Sequence, residues 1–219
     1  MDTFVVGLNL CPFARPLLGA DNLRIAICED ADPEELQRAF LRELDLLQGS
    51  DEAEIATTLL AFPSALADFE DYLDFLDQAQ ELLGAAGLEG VVQLASFHPQ
   101  YQFAGEPEGA ASHYSNRSPY PMIHLLREDM LSRVLAEDAD PEAIPARNVA
   151  TLEEIVSAEL ARRWKALKPE SYSSAREIFF LATDRARYSV RSGYRLRSAK
   201  HFRLLPRYSH SKMLSRPDP

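Results

Sequence analysis

No apolar run in this 219-residue chain approaches the roughly 18 to 20 uninterrupted apolar residues of a membrane-spanning helix, which excludes a span of that kind. Residues 1–6 are too few for a secretory signal peptide, so a cytoplasmic location is expected. Cysteine is scarce as well. Cys11 and Cys28 are the only two, and without an export signal they are expected to remain thiols rather than a disulfide. There is no Gly-rich phosphate loop, no Gly-x-Ser-x-Gly turn and no aspartate-rich calcium loop, which removes the commonest nucleotide, serine-hydrolase and calcium signatures. The zinc patterns His-Glu-x-x-His and Cys-x-x-Cys are missing too, and no internal repeat of useful length is present. Positive charge is sparse over most of the chain: residues 1–168 hold 12 Lys+Arg against 30 Asp+Glu, a net of −18. Such a body disfavours nonspecific nucleic-acid binding, which requires clustered cations to neutralise phosphates.

What is present divides the chain in two. Hydrophobic residues at 46% and charged residues at 26% suit an ordinary globular domain that can bury a core without disulfide or metal staples. Residues 169–219 reverse the charge, with 11 Lys+Arg against 4 Asp+Glu, and are rich in Arg, Ser and Tyr. A single domain over residues 1–167 is therefore expected, followed by a basic, flexible extension over 168–219 in which only 176–186 reads as helical. Any contact with nucleic acid or an acidic partner would run through that extension.

Apolar segments at 23–28, 56–62 and 90–97 read as strands. Between the first two, Leu36, Ala39, Phe40, Leu44 and Leu47 recur at helical spacing after Asp32-Pro33, predicting a helix over 32–48. Between the second and third, Phe69, Leu73, Leu76 and Leu83 predict another over 66–84, with Gly84 and Gly87 placed to end it. Strand–helix–strand–helix–strand implies parallel neighbours with right-handed crossovers. The expected fold is α/β: a small, mainly parallel three-stranded sheet with covering helices. A ferredoxin-like α+β arrangement ranks second, because no Asn-Gly or Asp-Gly hairpin turn joins the strands. Further helices are predicted over 119–136, starting at Ser118-Pro119, and over 151–167, where Thr151 and Glu154 fit a capping box.

Residues 96–128 do not read as ordinary core, since they concentrate His98, His113 and His124 with Arg117, Arg127 and many Tyr, Asn and Ser. Together with GLNLCPFA (7–14), the phrases ASFHPQYQFAG (95–105) and NRSPYPMIHLLRE (116–128) resemble a bacterial and plastid family known as domain of unknown function 1415. The resemblance runs over about residues 4–167. It implies that the three phrases belong to one domain and that the chain beyond about residue 168 lies outside it. It also implies more helix before the first phrase than this chain carries, and it supplies no reaction.

The chemistry must come from the residues. With a helix starting at Ser118-Pro119, the Ser118 hydroxyl, free backbone N–H groups and Arg117 would receive a phosphate, carboxylate or sulfate, with Asn116 orienting it. On the same helix His124, Arg127 and Glu128 would share a face, Arg127 adding a second cation for substrate. His124, His98 and Glu128, with Cys11 as an alternative ligand, could hold a divalent metal such as zinc. The plainer reading of His124 is a buried imidazole bonded to Glu128 or to a backbone carbonyl. His98, at the C-terminal end of a strand, is a candidate general base with Glu128 or Tyr101 as partner; equally, His98-Pro99 could only terminate the strand while aromatics pack the loop. Cys11 is a candidate nucleophile if a cation lowers its pKa, and otherwise a small buried side chain. His113 is read as solvated. The first expectation is thus a small enzyme acting on an anionic small molecule through His98, His124, Glu128 and Arg117, metal-assisted if those ligands converge. The alternatives are a noncatalytic module that binds or senses a small anion, and a structural or interaction domain.

Overall fold

The computed structural model describes residues 2–12, 14–17, 20–137 and 140–167, so the basic extension and its expected helix over 176–186 lie outside the described residues. Two aspartates set the long helices. Asp32 accepts from the backbone N–H of Glu34 (2.9 Å) and Glu35 (3.4 Å) ahead of α2 (Pro33–Gly49), satisfying donors that the first turn leaves unpaired. Asp68 does the same for Glu70 (2.9 Å) and Asp71 (3.4 Å) ahead of α3 (Phe69–Ala85). The second helix therefore starts after residue 66, and Leu66 itself takes a left-handed conformation (φ +57°). Beyond the other end, Gly87 adopts φ +72° and donates to the Gly84 carbonyl (2.9 Å), the turn its missing Cβ permits.

The sheet differs from expectation. Its strands are β1 (Leu23–Ile27), β2 (Thr57–Ala61), β3 (Val92–Phe97) and β4 (Met122–Arg127), in the order β1-β2-β4-β3. β1 and β2 are parallel, whereas β4 lies antiparallel to both β2 and β3. The α/β class holds, but the sheet is four-stranded and mixed rather than three-stranded and parallel. β4 occupies residues expected to be helical. Pro119 and Pro121 disfavour helical φ/ψ at Ser118 and Tyr120, which delivers extended chain into Met122–Arg127, and the helix α4 (Glu128–Glu137) forms only afterwards. The predicted helix over 151–167 is likewise two elements, α5 (Ile144–Glu153) and α6 (Ser157–Lys165), so Thr151 lies inside a helix rather than capping one.

Both crossovers proceed in the same direction along the sheet, so right-handed connections place α2 and α3 on one face. There Leu36, Phe40, Leu47, Tyr72, Phe75 and Leu83 pack on Ala26, Leu60, Ile123 and Leu125. Burying each of these larger side chains contributes about 1.5–3 kcal/mol. On the opposite face Leu126 packs with Ala56, Met130 and Leu131, while Leu17 of the short helix α1 (Ala14–Leu17) and Ala95 touch the same cluster. A third cluster joins the N-terminal segment to the last helices through Phe4, Leu10, Leu152 and Leu160, and reaches Tyr114.

Candidate functional site

The chain between β3 and β4, residues 98–121, is organised by two histidines that the sequence had offered as a base and as a solvated side chain. His98 is fully buried, its Nδ1 accepting from the Gln100 N–H (3.0 Å) and its Nε2 lying 3.0 Å from the Leu66 carbonyl. One nitrogen accepts, so the other donates, and the imidazole is neutral with its proton on Nε2. Its ring packs against both Phe69 and Tyr72 of α3, which stack on each other, with centroids 5.1 Å from each. His113 repeats the pattern: Nδ1 accepts from the Phe103 N–H (3.2 Å) and Nε2–H donates to the Pro107 carbonyl (2.8 Å), again with no exposure. The reading of His113 as solvated is therefore corrected.

Most of the proposed ligand contacts are also engaged elsewhere. Ser118 caps no helix; its hydroxyl donates to the Tyr120 carbonyl (2.5 Å), and the dipole end proposed for an anion is not formed. Asn116 donates its side-chain amide to the Ser96 carbonyl (3.0 Å), tying the loop to the end of β3. Arg127, expected to meet substrate, donates to the carbonyls of Ile55 (3.1 Å), Leu47 (2.5 Å) and Ser50 (2.7 Å), fastening β4 to the end of α2. Tyr101 is buried, its hydroxyl 3.2 Å from the Ser96 hydroxyl and its ring packed on Phe69 and Phe103. Beside it, the Tyr72 hydroxyl accepts from the Phe97 N–H (3.0 Å) and donates to the Met122 carbonyl (2.8 Å), which holds β3 and β4 together where the loop departs. Burial raises the Tyr72 pKa well above the usual phenol range.

The metal set does not assemble. His124 belongs to β4 between Ile123 and Leu125, which face α2 and α3, so side-chain alternation puts it on the opposite face of the sheet from the rings that surround His98. The Thr57 hydroxyl gives its proton to the Leu125 carbonyl (2.6 Å), so it is His124 Nε2–H that donates to Thr57 Oγ1 (2.6 Å). Desolvation lowers the His124 pKa to about 4. Glu128 opens α4, where its backbone N–H donates to Val91, and the shared helical face expected for His124, Arg127 and Glu128 does not exist because two of the three are strand residues. Cys11 is half-buried and in no disulfide among the described residues, in the N-terminal segment that Asn148 of α5 holds through the Leu10 carbonyl (2.7 Å). Cys28 is buried, which raises its pKa. No group of three or more His, Cys, Asp or Glu suited to a metal ion occurs among the described residues.

Arg117 alone of the expected ligand contacts remains available. Its Nε–H donates to the Tyr101 carbonyl (3.4 Å) and its guanidinium lies over the Tyr114 ring, 4.6 Å from the centroid. These contacts fix the side chain and leave it without an anionic partner, since no ion pair forms on it among the described residues. It lines an open groove of about 780 Å³ walled by Phe69 and Pro99, with Gln100, Gln102 and Glu108 around it.

A family model described as "Protein of unknown function (DUF1415)" matches residues 1–162. The chain belongs to this family. No curated protein and no solved structure matches it. Within the DUF1415 region the groove adds Phe69, Gln100, Gln102 and Glu108 to the residues singled out from sequence. A signal for the groove was available: from residue 43 to 116 the chain contains neither Lys nor Arg, so Arg117 ends a long cation-free stretch. Helical spacing puts Phe69 on the core face of a helix, and only the tertiary approach of the 98–121 loop makes it part of the groove wall.

Proposed function

We propose that this DUF1415 domain is a small-anion-binding module whose anchor is Arg117. The observation that carries the reading is a guanidinium held by Tyr101 and Tyr114, lining an open groove with two side-chain amides and in no ion pair among the described residues. Gln100 and Gln102 supply neutral donors and acceptors, so the site would read a carboxylate or phosphate by charge-assisted bonds to arginine and by amide contacts. A catalytic version of the site has less support, because both ring nitrogens of His98 are already bonded and His124 faces the other side of the sheet.

Isothermal titration and amide-resolved NMR of the full chain with inorganic phosphate and with acetate would test this. Millimolar binding is expected, with shifts centred on Gln100, Gln102 and Arg117. A charged hydrogen bond of about 1.5–3 kcal/mol implies that Arg117→Gln weakens it roughly tenfold or more. Unchanged affinity in Arg117→Gln, or shifts confined to another surface, would remove the reading.

A further inference from the structure

Glu108 and Arg117 line the same groove, carry opposite charges, and pair neither with each other nor with any other ion among the described residues. Arg117 is drawn onto Tyr114 and the Tyr101 carbonyl, while Glu108 sits in the exposed turn before Ala111–Ser115, so both line the groove with no ion pair on either among the described residues. A purely anionic ligand at Arg117 would be attracted by the guanidinium and opposed by Glu108. A molecule that carries both charges has no such conflict.

We infer that the groove selects a small amino carboxylate, its carboxylate on Arg117, its ammonium on Glu108 and its aliphatic spacer along Phe69 and Pro99. This inference rests on the anion-binding reading and names its ligand class. The spacer contacts fit the wall: Phe69 contributes an aromatic ring and Pro99 a ring without a hydrogen-bond donor, so this part of the groove favours methylene groups. The glutamines lie beside these walls and can bond either end of the ligand, since each side-chain amide both donates and accepts. Selectivity against dicarboxylates follows from the same geometry, because their second charge would face Glu108.

The test titrates the full chain with β-alanine, γ-aminobutyrate and ε-aminocaproate beside propionate, butyrate and caproate, and with succinate as the doubly anionic probe. Because Glu108 is solvent-exposed, the ammonium is expected to improve affinity about two- to fivefold over the matched carboxylate for at least one spacer length. Succinate is expected to bind more weakly than butyrate. Glu108→Gln should erase both differences, and thermal melting of that variant checks that the turn is intact. Carboxylate binding with no gain from the ammonium at any length, or a gain that survives in Glu108→Gln, overturns the ligand class and leaves the anion site standing. Absence of binding by every probe in the wild-type chain overturns the anion site, and the ligand class with it.

Discussion

Replacing His98 by alanine distinguishes a structural histidine from a catalytic one. The imidazole bridges the Gln100 N–H and the Leu66 carbonyl at 3.0 Å each, in a fully buried position against Phe69 and Tyr72. Alanine leaves one buried donor and one buried acceptor without partners, at about 1–3 kcal/mol apiece, and a void beside the two rings adds to that. A loss of about 3–6 kcal/mol is therefore expected, a large part of the roughly 5–15 kcal/mol of a typical domain. Leu66 sharpens the case: its left-handed conformation costs about 1–2 kcal/mol in a residue with a side chain, and the His98 bond is one of the contacts that hold it there. Urea denaturation should show the midpoint falling at unchanged slope, and thermal melting a drop on the order of 6–20 °C. A loss under about 1 kcal/mol would refute the reasoning, since side chains kept for chemistry often leave stability unchanged or higher when removed.

Arg127→Met is expected to destabilise the fold by about 3–5 kcal/mol, because the carbonyls of Leu47, Ser50 and Ile55 lose a charged donor, while carboxylate affinity stays within about twofold; a loss of binding with stability intact would restore Arg127 as a ligand residue. His124 binds its proton more weakly when folded, with a pKa of about 4 against an ordinary 6.5, so the unfolded chain is the better proton acceptor between those values. Stability should be complete above pH 6.5 and fall by up to about 3 kcal/mol as pH drops to 4, a slope that His124→Gln should flatten in urea titrations at several pH values. A chain ending at Leu167 should melt within about 2 °C of the full chain if the domain closes with the third apolar cluster; a larger drop would show that the basic extension contributes to the fold.

The sequence was most legible where structure is local. The helix after Asp32-Pro33 forms where its cap and apolar spacing place it, and Gly87 takes the left-handed turn expected near the end of α3. Met122–Arg127 misled because a central strand, buried on both faces, has no two-residue alternation to separate it from a helix; Pro121, which restrains Tyr120, was the overlooked sign. That one misplacement carried the site with it. Once Met122–Arg127 is a strand, Ser118 cannot cap a helix, His124 and Glu128 no longer stand one turn apart, and Arg127 reaches back to α2. The α/β class survived because β1, β2, β3 and their crossovers were correctly identified, while the place of β4 between β2 and β3 depends on pairing across the chain that periodicity does not encode.

The histidine-rich loop bears on function by a route other than the one its composition suggests. A neutral imidazole carries one donor and one acceptor on separated ring atoms, which suits it to joining two backbone segments that have no strand or helix to pair with. His98 and His113 both do this with the same tautomer, and between them they order the backbone at Gln100, Phe103 and Pro107. The peptide groups so fixed include the neighbours of Gln102 and Glu108, and the His113 carbonyl accepts the backbone N–H groups of Asn116 and Arg117. A surface groove whose lining hung on a slack loop would lose conformational entropy on closing around a ligand; one braced in this way has its arginine in position beforehand. Weakened carboxylate binding in His98→Ala or His113→Ala, at temperatures where the fold persists, would thus report lost preorganisation, and the histidines would serve the site without touching what it binds.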